Sequence, residues 1–383
     1  MKIENYKFFI LNFLIIVLLN FPKIDLLPVP GMAQGIRVDD FLIVGLFVYI
    51  ILNKNIKFKI PIFILCIYAY IFFSNFLGIA FHPGNNDIRI VYIIRGFEYF
   101  IAVLVFYNFK EFLIIKNILY ATLLIKGALV MEQMFHGILR PYGSYNGPWE
   151  LVTVVALLSL FYASNVENKN KNKNKNIFIF IPLFFSIVSQ SRSSTLGLLT
   201  GILFNGKKLR HYIVLIAVLF TSAPIIFLFI NSFNWLASVF NPENIVLVSS
   251  FIEDIVSGRT DDLFLEFKLI ADPSLAARLS MWLELIFLYY ESEYIFLKIF
   301  FGIGIGSKSI IIDGFYIRLL FELGIVGTFG YFFVLYRLWK ENVFRVLVIF
   351  MSFTCLTLDP YSSSKIIYTL GVLYAIKKSK IKT

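Results

Sequence analysis

Long apolar runs separated by short polar breaks make up most of this 383-residue chain. A helix crossing a hydrocarbon core of about 30 Å needs about 20 residues, and fewer where other helices surround it. About twelve segments qualify on that basis. The first six centre on Phe8–Leu19, Phe41–Leu52, Ile60–Phe81, Ile90–Phe109, Phe112–Phe135 and Trp149–Ser164. The later ones are Ile177–Val188, Ser193–Phe204, Tyr212–Ile230, Phe315–Trp339, Val343–Leu358 and Ile366–Ile376. The pattern predicts an all-α, polytopic integral membrane protein with about twelve transmembrane helices in a single membrane domain, 1–383. One extended stretch, 231–312, is too polar for lipid and reads as a large loop. Within it Asp272-Pro273-Ser274 is a helix start, an N-cap acid followed by proline at the first helical position. Leu275, Leu279, Trp282, Leu285, Ile286 and Tyr289 then recur at helical spacing, predicting an amphipathic helix on which Arg278 and Trp282 share a face.

Composition agrees with the pattern. Hydrophobic residues are 59% and charged residues 15% of the chain, with mean hydropathy +0.80; soluble chains carry roughly 25% charged residues. Cys66 and Cys355 both fall in apolar runs, which argues against a disulfide framework or a thiolate metal site. Phe8–Leu19 has a basic flank but no small-residue cleavage site after it, so it reads as the first membrane helix.

The net charge of +11 changes the picture through its distribution. Basic residues cluster in alternate connections: Lys54/Lys57/Lys59, Lys110/Lys116, Lys169/Lys171/Lys173/Lys175, Lys207/Lys208/Arg210, Arg337/Lys340/Arg345 and the tail Lys377/Lys378/Lys380/Lys382. The intervening connections, such as His82–Asp87 and Asp359–Ser364, are nearly free of them. The positive-inside rule then predicts both termini in the cytoplasm and the 231–312 loop on the outer face. Topology explains the positive charge better than nucleic-acid binding does. The Lys-Asn repeat in the 165–176 connection is a low-complexity cytoplasmic linker.

Ionisable residues inside membrane segments are costly and face a partner or a cavity. Arg95 and Glu98 lie three apart, Arg318 and Glu322 four apart, and Lys126 and Glu132 share the fifth segment. Each pair reads either as a self-neutralising bridge within one helix or as part of a polar site. Arg140, Arg192 and Arg278 sit at outer helix ends, where they serve as snorkelling anchors or as a phosphate-binding cluster, since the guanidinium fork matches phosphate oxygens. No Gly-rich phosphate loop with a following lysine, no HExxH and no Cys/His spacing is present, so no ATP, dinucleotide or metal cofactor is expected. The glycines at 302, 304 and 306 predict close backbone packing or a tight re-entrant turn.

Several of these residues recur in a pattern. Arg140-Pro-Tyr-Gly143, Ser189-Gln-Ser-Arg192-Ser, Arg278-x-x-x-Trp282, Phe301-Gly-Ile-Gly-Ile-Gly306 and Asp313-Gly-Phe-Tyr316 through Gly327 resemble, in order and spacing, the O-antigen polymerase and ligase superfamily. The resemblance runs from about Arg89 to Gly327. It implies a metal-independent, lipid-carrier-dependent glycosyltransferase of the bacterial inner membrane. Its substrate would be an undecaprenyl-pyrophosphate-linked oligosaccharide, with membrane lipids and a chain-length regulator protein as candidate partners. Arg95, Arg140, Arg192 and Arg278 would bind the pyrophosphate, and Asp313 or Glu322 would take the acceptor proton. Trp282, Tyr142, Tyr145 and Tyr316 would stack on sugars or anchor the interface. Ligases of this superfamily usually carry a histidine before the Asn-x-Tyr of the last motif. Here Asp313 stands there and Gly314 replaces the asparagine, which favours a polymerase. The alternatives are a ligase and a flippase for the same lipid-linked unit, the latter without the internal repeats usual in transporters.

Overall fold

Apolar runs become helices wherever the structure describes them. The structure is a computed structural model describing residues 2–27, 36–53, 58–81, 86–145, 147–165, 175–205, 294–305, 315–355, 361 and 363–379. Apart from Tyr294 and Ile295, these belong to one compact unit, Met1–Asn205 with Phe296–Thr383. The helices are α1 (Lys2–Asn20), α2 (Val38–Leu52), α3 (Ile62–Phe81), α4 (Asn86–Asn108), α5 (Ile115–Phe135), α6 (Pro148–Asn165), α7 (Lys175–Val188), α8 (Arg192–Asn205), α9 (Ile295–Phe301), α10 (Phe315–Trp339), α11 (Arg345–Thr354) and α12 (Ser364–Lys378). Two short strands, β1 (Asp25–Leu27) and β2 (Ile36–Arg37), pair antiparallel between α1 and α2.

Every candidate span falls on one of these helices except Tyr212–Ile230, which lies outside the described residues. Among the described residues, four stretches are long and apolar enough to cross a membrane: Ile62–Ala80, Ile90–Asn108, Ile115–Phe135 and Phe315–Trp339. Phe9–Asn20, Pro148–Ser164 and Arg345–Thr354 are apolar but shorter. The protein is therefore mostly helical and embedded in a membrane.

The core lies around α6, which packs against α5, α7 and α12. From Leu151 to Phe161 α6 is buried on every side, as expected of a helix apolar all round. α12 in turn packs against α4, placing Tyr368 beside Phe106 and Gly371 against Val103. Polar side chains fasten the turns. Asn12 of α1 donates to Phe112 O (2.7 Å) and accepts from Ile114 N (3.0 Å), holding the 3-10 turn that joins α4 to α5.

α8 and α11 touch through glycines. A Cβ on Gly197 would stand 2.9 Å from both Phe350 O and Thr354 Oγ1, and Gly201 faces Val346 one turn on. Small residues four apart are the usual means of close helix approach in membranes. Gly197→Leu is expected to cost about 1–3 kcal/mol by overpacking. Thermal unfolding in detergent checks this, with Gly127→Ala, whose Cβ meets nothing within 4 Å, as the neutral control.

The 231–312 stretch, read from sequence as a loop, is described only at 294–305, and there it enters the bundle. Gly302 and Ile303 are buried, and Ile303 N and Gly304 N donate to Phe321 O and Glu322 O of α10 (both 3.0 Å). Next to those carbonyls α10 breaks at Gly324, whose φ of 66° and ψ of −171° are not helical. The α3 side chains satisfy the rest: Tyr70 OH donates to Leu323 O (2.6 Å), and Ser74 Oγ bonds both Phe301 O (2.7 Å) and Glu322 O (3.0 Å). A broken helix in a membrane is tolerated when neighbours re-satisfy its backbone in this way.

Candidate functional site

A helix leaves its last carbonyls without partners and carries partial negative charge there. The end of α1 is buried, so its carbonyls need donors, and cations suit them. Lys365 Nζ donates to Leu18 O (2.6 Å) and the Tyr145 hydroxyl to Leu19 O (2.8 Å). Asn20 O accepts from the Ser144 hydroxyl (2.6 Å) and Lys126 Nζ (3.3 Å). Lys126 also donates to Ser144 and lies 3.6 Å from the centre of the Tyr145 ring. Burial, reinforced by Glu150, pushes the Tyr145 phenol well above its usual pKa and keeps it a donor.

These cations need anions, because an uncompensated buried charge is expensive. Asp39 and Asp40 open α2, where the helix N-terminus favours negative charge. Asp39 Oδ2 accepts from Lys365 Nζ (3.1 Å). Asp40 Oδ2 accepts from Arg37 N (2.9 Å) and from Arg95 Nη1 (2.7 Å). The same Arg95 nitrogen reaches Glu98 Oε2 (2.6 Å), and the other Glu98 oxygen accepts from the Tyr368 hydroxyl. Arg37 Nη1 donates to Ser364 Oγ (3.0 Å). Glu150 pairs with Lys23 (2.6 Å) and accepts from Ser363, which caps α12. The result is one buried seam across the α1 end, the α2 start, α4, α5, α6 and the α12 start. In it Lys23, Arg37, Arg95, Lys126 and Lys365 face Asp39, Asp40, Glu98 and Glu150, so among the described residues the cations exceed the carboxylates by one.

The connection after α5 is tied to this seam by Gln133. Its Oε1 accepts from Tyr142 N and Gly143 N (both 2.9 Å), and its Nε2 donates to Gly143 O (2.7 Å). Arg140, two residues earlier, is exposed. Gln133→Met removes three hydrogen bonds while keeping side-chain length. Leaving buried backbone groups unpaired costs about 1–3 kcal/mol, so faster hydrogen exchange is expected at Tyr142 and Gly143, read by exchange mass spectrometry.

A second buried pair lies beside the α10 break. Arg318 Nε donates to Glu322 Oε2 (2.6 Å), and its guanidinium lies 6.0 Å from the centre of the Tyr92 ring. Tyr92 and Arg95 are three apart on α4, so they share a face of that helix.

The residues singled out from sequence fare differently. Arg95 enters the seam, bonded to Asp40 as well as to Glu98, and so is more than half of a pair within one helix. Arg318 and Glu322 do form the expected i,i+4 pair. Lys126 and Glu132 do not pair: they are six apart, Lys126 points into the seam, and Glu132 is exposed with His136 at 3.5 Å. Tyr316 donates its hydroxyl to Ser352 O (3.0 Å) and stacks on Phe332. Tyr145 is buried under Lys126, which leaves no ring face for a sugar or an interface. Arg192 is the first residue of α8. Asp313, Arg278 and Trp282 lie outside the described residues. Sequence reasoning passed over Lys23, Arg37, Asp39, Asp40, Gln133, Glu150 and Lys365. For the charged ones the signal was there, a charge at the edge of an apolar run, but it is the same signal an ordinary flanking residue gives; Gln133, a neutral amide inside an apolar run, gave none. Neither a family model nor a curated protein sequence matches the chain.

Proposed function

We propose that the protein is a polysaccharide repeat-unit polymerase acting on undecaprenyl-pyrophosphate-linked oligosaccharides at the outer face of the bacterial cytoplasmic membrane. In this reading the chain spans the membrane about twelve times with both termini inside. The observation that carries it is the buried seam with its excess of cations at one end of an apolar bundle, together with the ordered motifs from Arg140 to Gly327. The net positive charge of the seam would favour a lipid-anchored pyrophosphate bound close to it.

In the reaction the bond from the anomeric carbon to the pyrophosphate oxygen breaks, and the leaving group departs with the electron pair. The acceptor hydroxyl forms the new glycosidic bond and surrenders its proton to a carboxylate. Pyrophosphate is already a good leaving group, so the protein's work is charge stabilisation and positioning. Arg140, Arg192 and Arg278 would grip phosphate oxygens, with Arg95 adding to the local field from the seam. Asp313 is the first choice for the proton acceptor, and Glu322, held by Arg318, the second.

The test is the surface-polysaccharide banding of a deletion strain. Collapse of the ladder to a single repeat unit on its anchor is the expected result, and Asp313→Asn should reproduce it at normal protein level. Loss of every unit from the anchor, with lipid-linked polymer retained, would make the protein a ligase instead. An unchanged ladder in the deletion strain overturns the proposal.

A further inference from the structure

Arg37 is completely buried, and its Nη1 donates to Ser364 Oγ. Among the described residues its Nε and Nη2, the forked edge of the guanidinium, have no hydrogen-bond partner, and neither do Asp39 Oδ1 and Asp40 Oδ1. Nε lies near both carboxylate oxygens. Arg37 Nε stands 3.9 Å from Asp39 Oδ1 and 4.0 Å from Asp40 Oδ1. That is too long for a hydrogen bond, while two bonds of about 2.8 Å meeting near a right angle span about 4 Å.

We propose that a single water molecule is bound between Arg37, Asp39 and Asp40. The atoms define what fits. Arg37 offers two donors, Nε–H and Nη2–H, and the two carboxylate oxygens about 4 Å from Nε offer two acceptors. Water accepts two hydrogen bonds and donates two, so it satisfies all four groups. An anion would take the guanidinium fork but meet two carboxylates, and a cation would meet the guanidinium. Tyr99, Glu98 and Tyr368 also face Arg37, and none of them removes the mismatch at its forked edge. Buried waters occur where several polar groups would otherwise be unpaired, and about three bonds each is usual.

This water does more than fill a gap. Asp39 belongs to the Lys365 side of the seam and Asp40 to the Arg95–Glu98–Tyr368 side. Bonded to both and to Arg37, the water makes the two halves one hydrogen-bonded unit running from α12 across α2 to α4.

The experiment is proton-detected solid-state NMR on the full-length protein in lipid bilayers, labelled with 15N-arginine, with the Arg37 Nε–H signal assigned by its disappearance in Arg37→Lys. The expected result is rapid polarisation transfer from water to Arg37 Nε–H, as fast as to the exposed Arg140. The buried backbone amide of Phe106 should receive none over the same mixing time. An Arg37 Nε–H signal that builds up as slowly as Phe106 overturns the proposal. So does one whose strongest contact is a direct bond to Asp39 or Asp40. Neither outcome depends on the polymerase reading.

Discussion

Gly324→Ala should leave little folded protein. Gly324 adopts φ 66° and ψ −171°, a region occupied almost solely by glycine, where another residue stores about 1–3 kcal/mol of strain. Its Cβ would also sit 2.5 Å from Gly302 N and from Phe300 O, which are backbone atoms without rotamers to yield. Overpacking of that kind costs a further 1–3 kcal/mol or so. The loss would fall on a junction where α3, the 302–304 turn and the first half of α10 share one set of hydrogen bonds. Fluorescence-detected size exclusion and thermal unfolding in detergent measure it. Gly330→Ala is the control in the same helix, since nothing lies within 4 Å of its Cβ and alanine is the better helix former. A Gly324→Ala protein as stable as Gly330→Ala would mean that the break in α10 is not part of the native fold.

The second large effect concerns Arg95. Arg95→Met keeps the bulk of the side chain and leaves Asp40 and Glu98 buried around a missing cation. Removing one partner of a buried charge cluster costs about 3–5 kcal/mol, mostly because the remaining charges are uncompensated. Adding Glu98→Gln to the variant should recover a substantial part of that loss, since glutamine still accepts from the Tyr368 hydroxyl without a charge to neutralise. Unfolding of the single and double variants in detergent gives the coupling directly. If the double variant is no more stable than Arg95→Met, the uncompensated Glu98 charge is not the source of the loss, and the Arg95–Asp40 contact between α4 and α2 carries it instead.

Both effects arise at places where local sequence and tertiary structure differ in what they reveal. Hydrophobic periodicity is local, so the helices were legible: a run of about twenty apolar residues in lipid must satisfy its own backbone and has little choice but to coil. The Arg318–Glu322 pair was legible for the same reason, because four residues along a helix is a contact whatever surrounds it. Asp40 carried no signal of its own, and nothing along the chain says that it will meet Arg95, 55 positions away.

What the sequence by itself determined is the class of the protein: apolar helices, an overall positive charge concentrated in alternate short connections, and pairs of charges set one helical turn apart. The tertiary structure alone decided which buried charges find one another. Lys126 left Glu132 for the end of α1, and Lys365 joined Leu18 to Asp39. Gly302 and Gly324 came into contact because one helix broke to receive a turn from another segment. The reason is physical. Helix formation is set by neighbours within four residues. A buried charge is stabilised by whichever opposite charge or carbonyl the packing brings within about 3 Å, and that distance has no relation to separation along the chain.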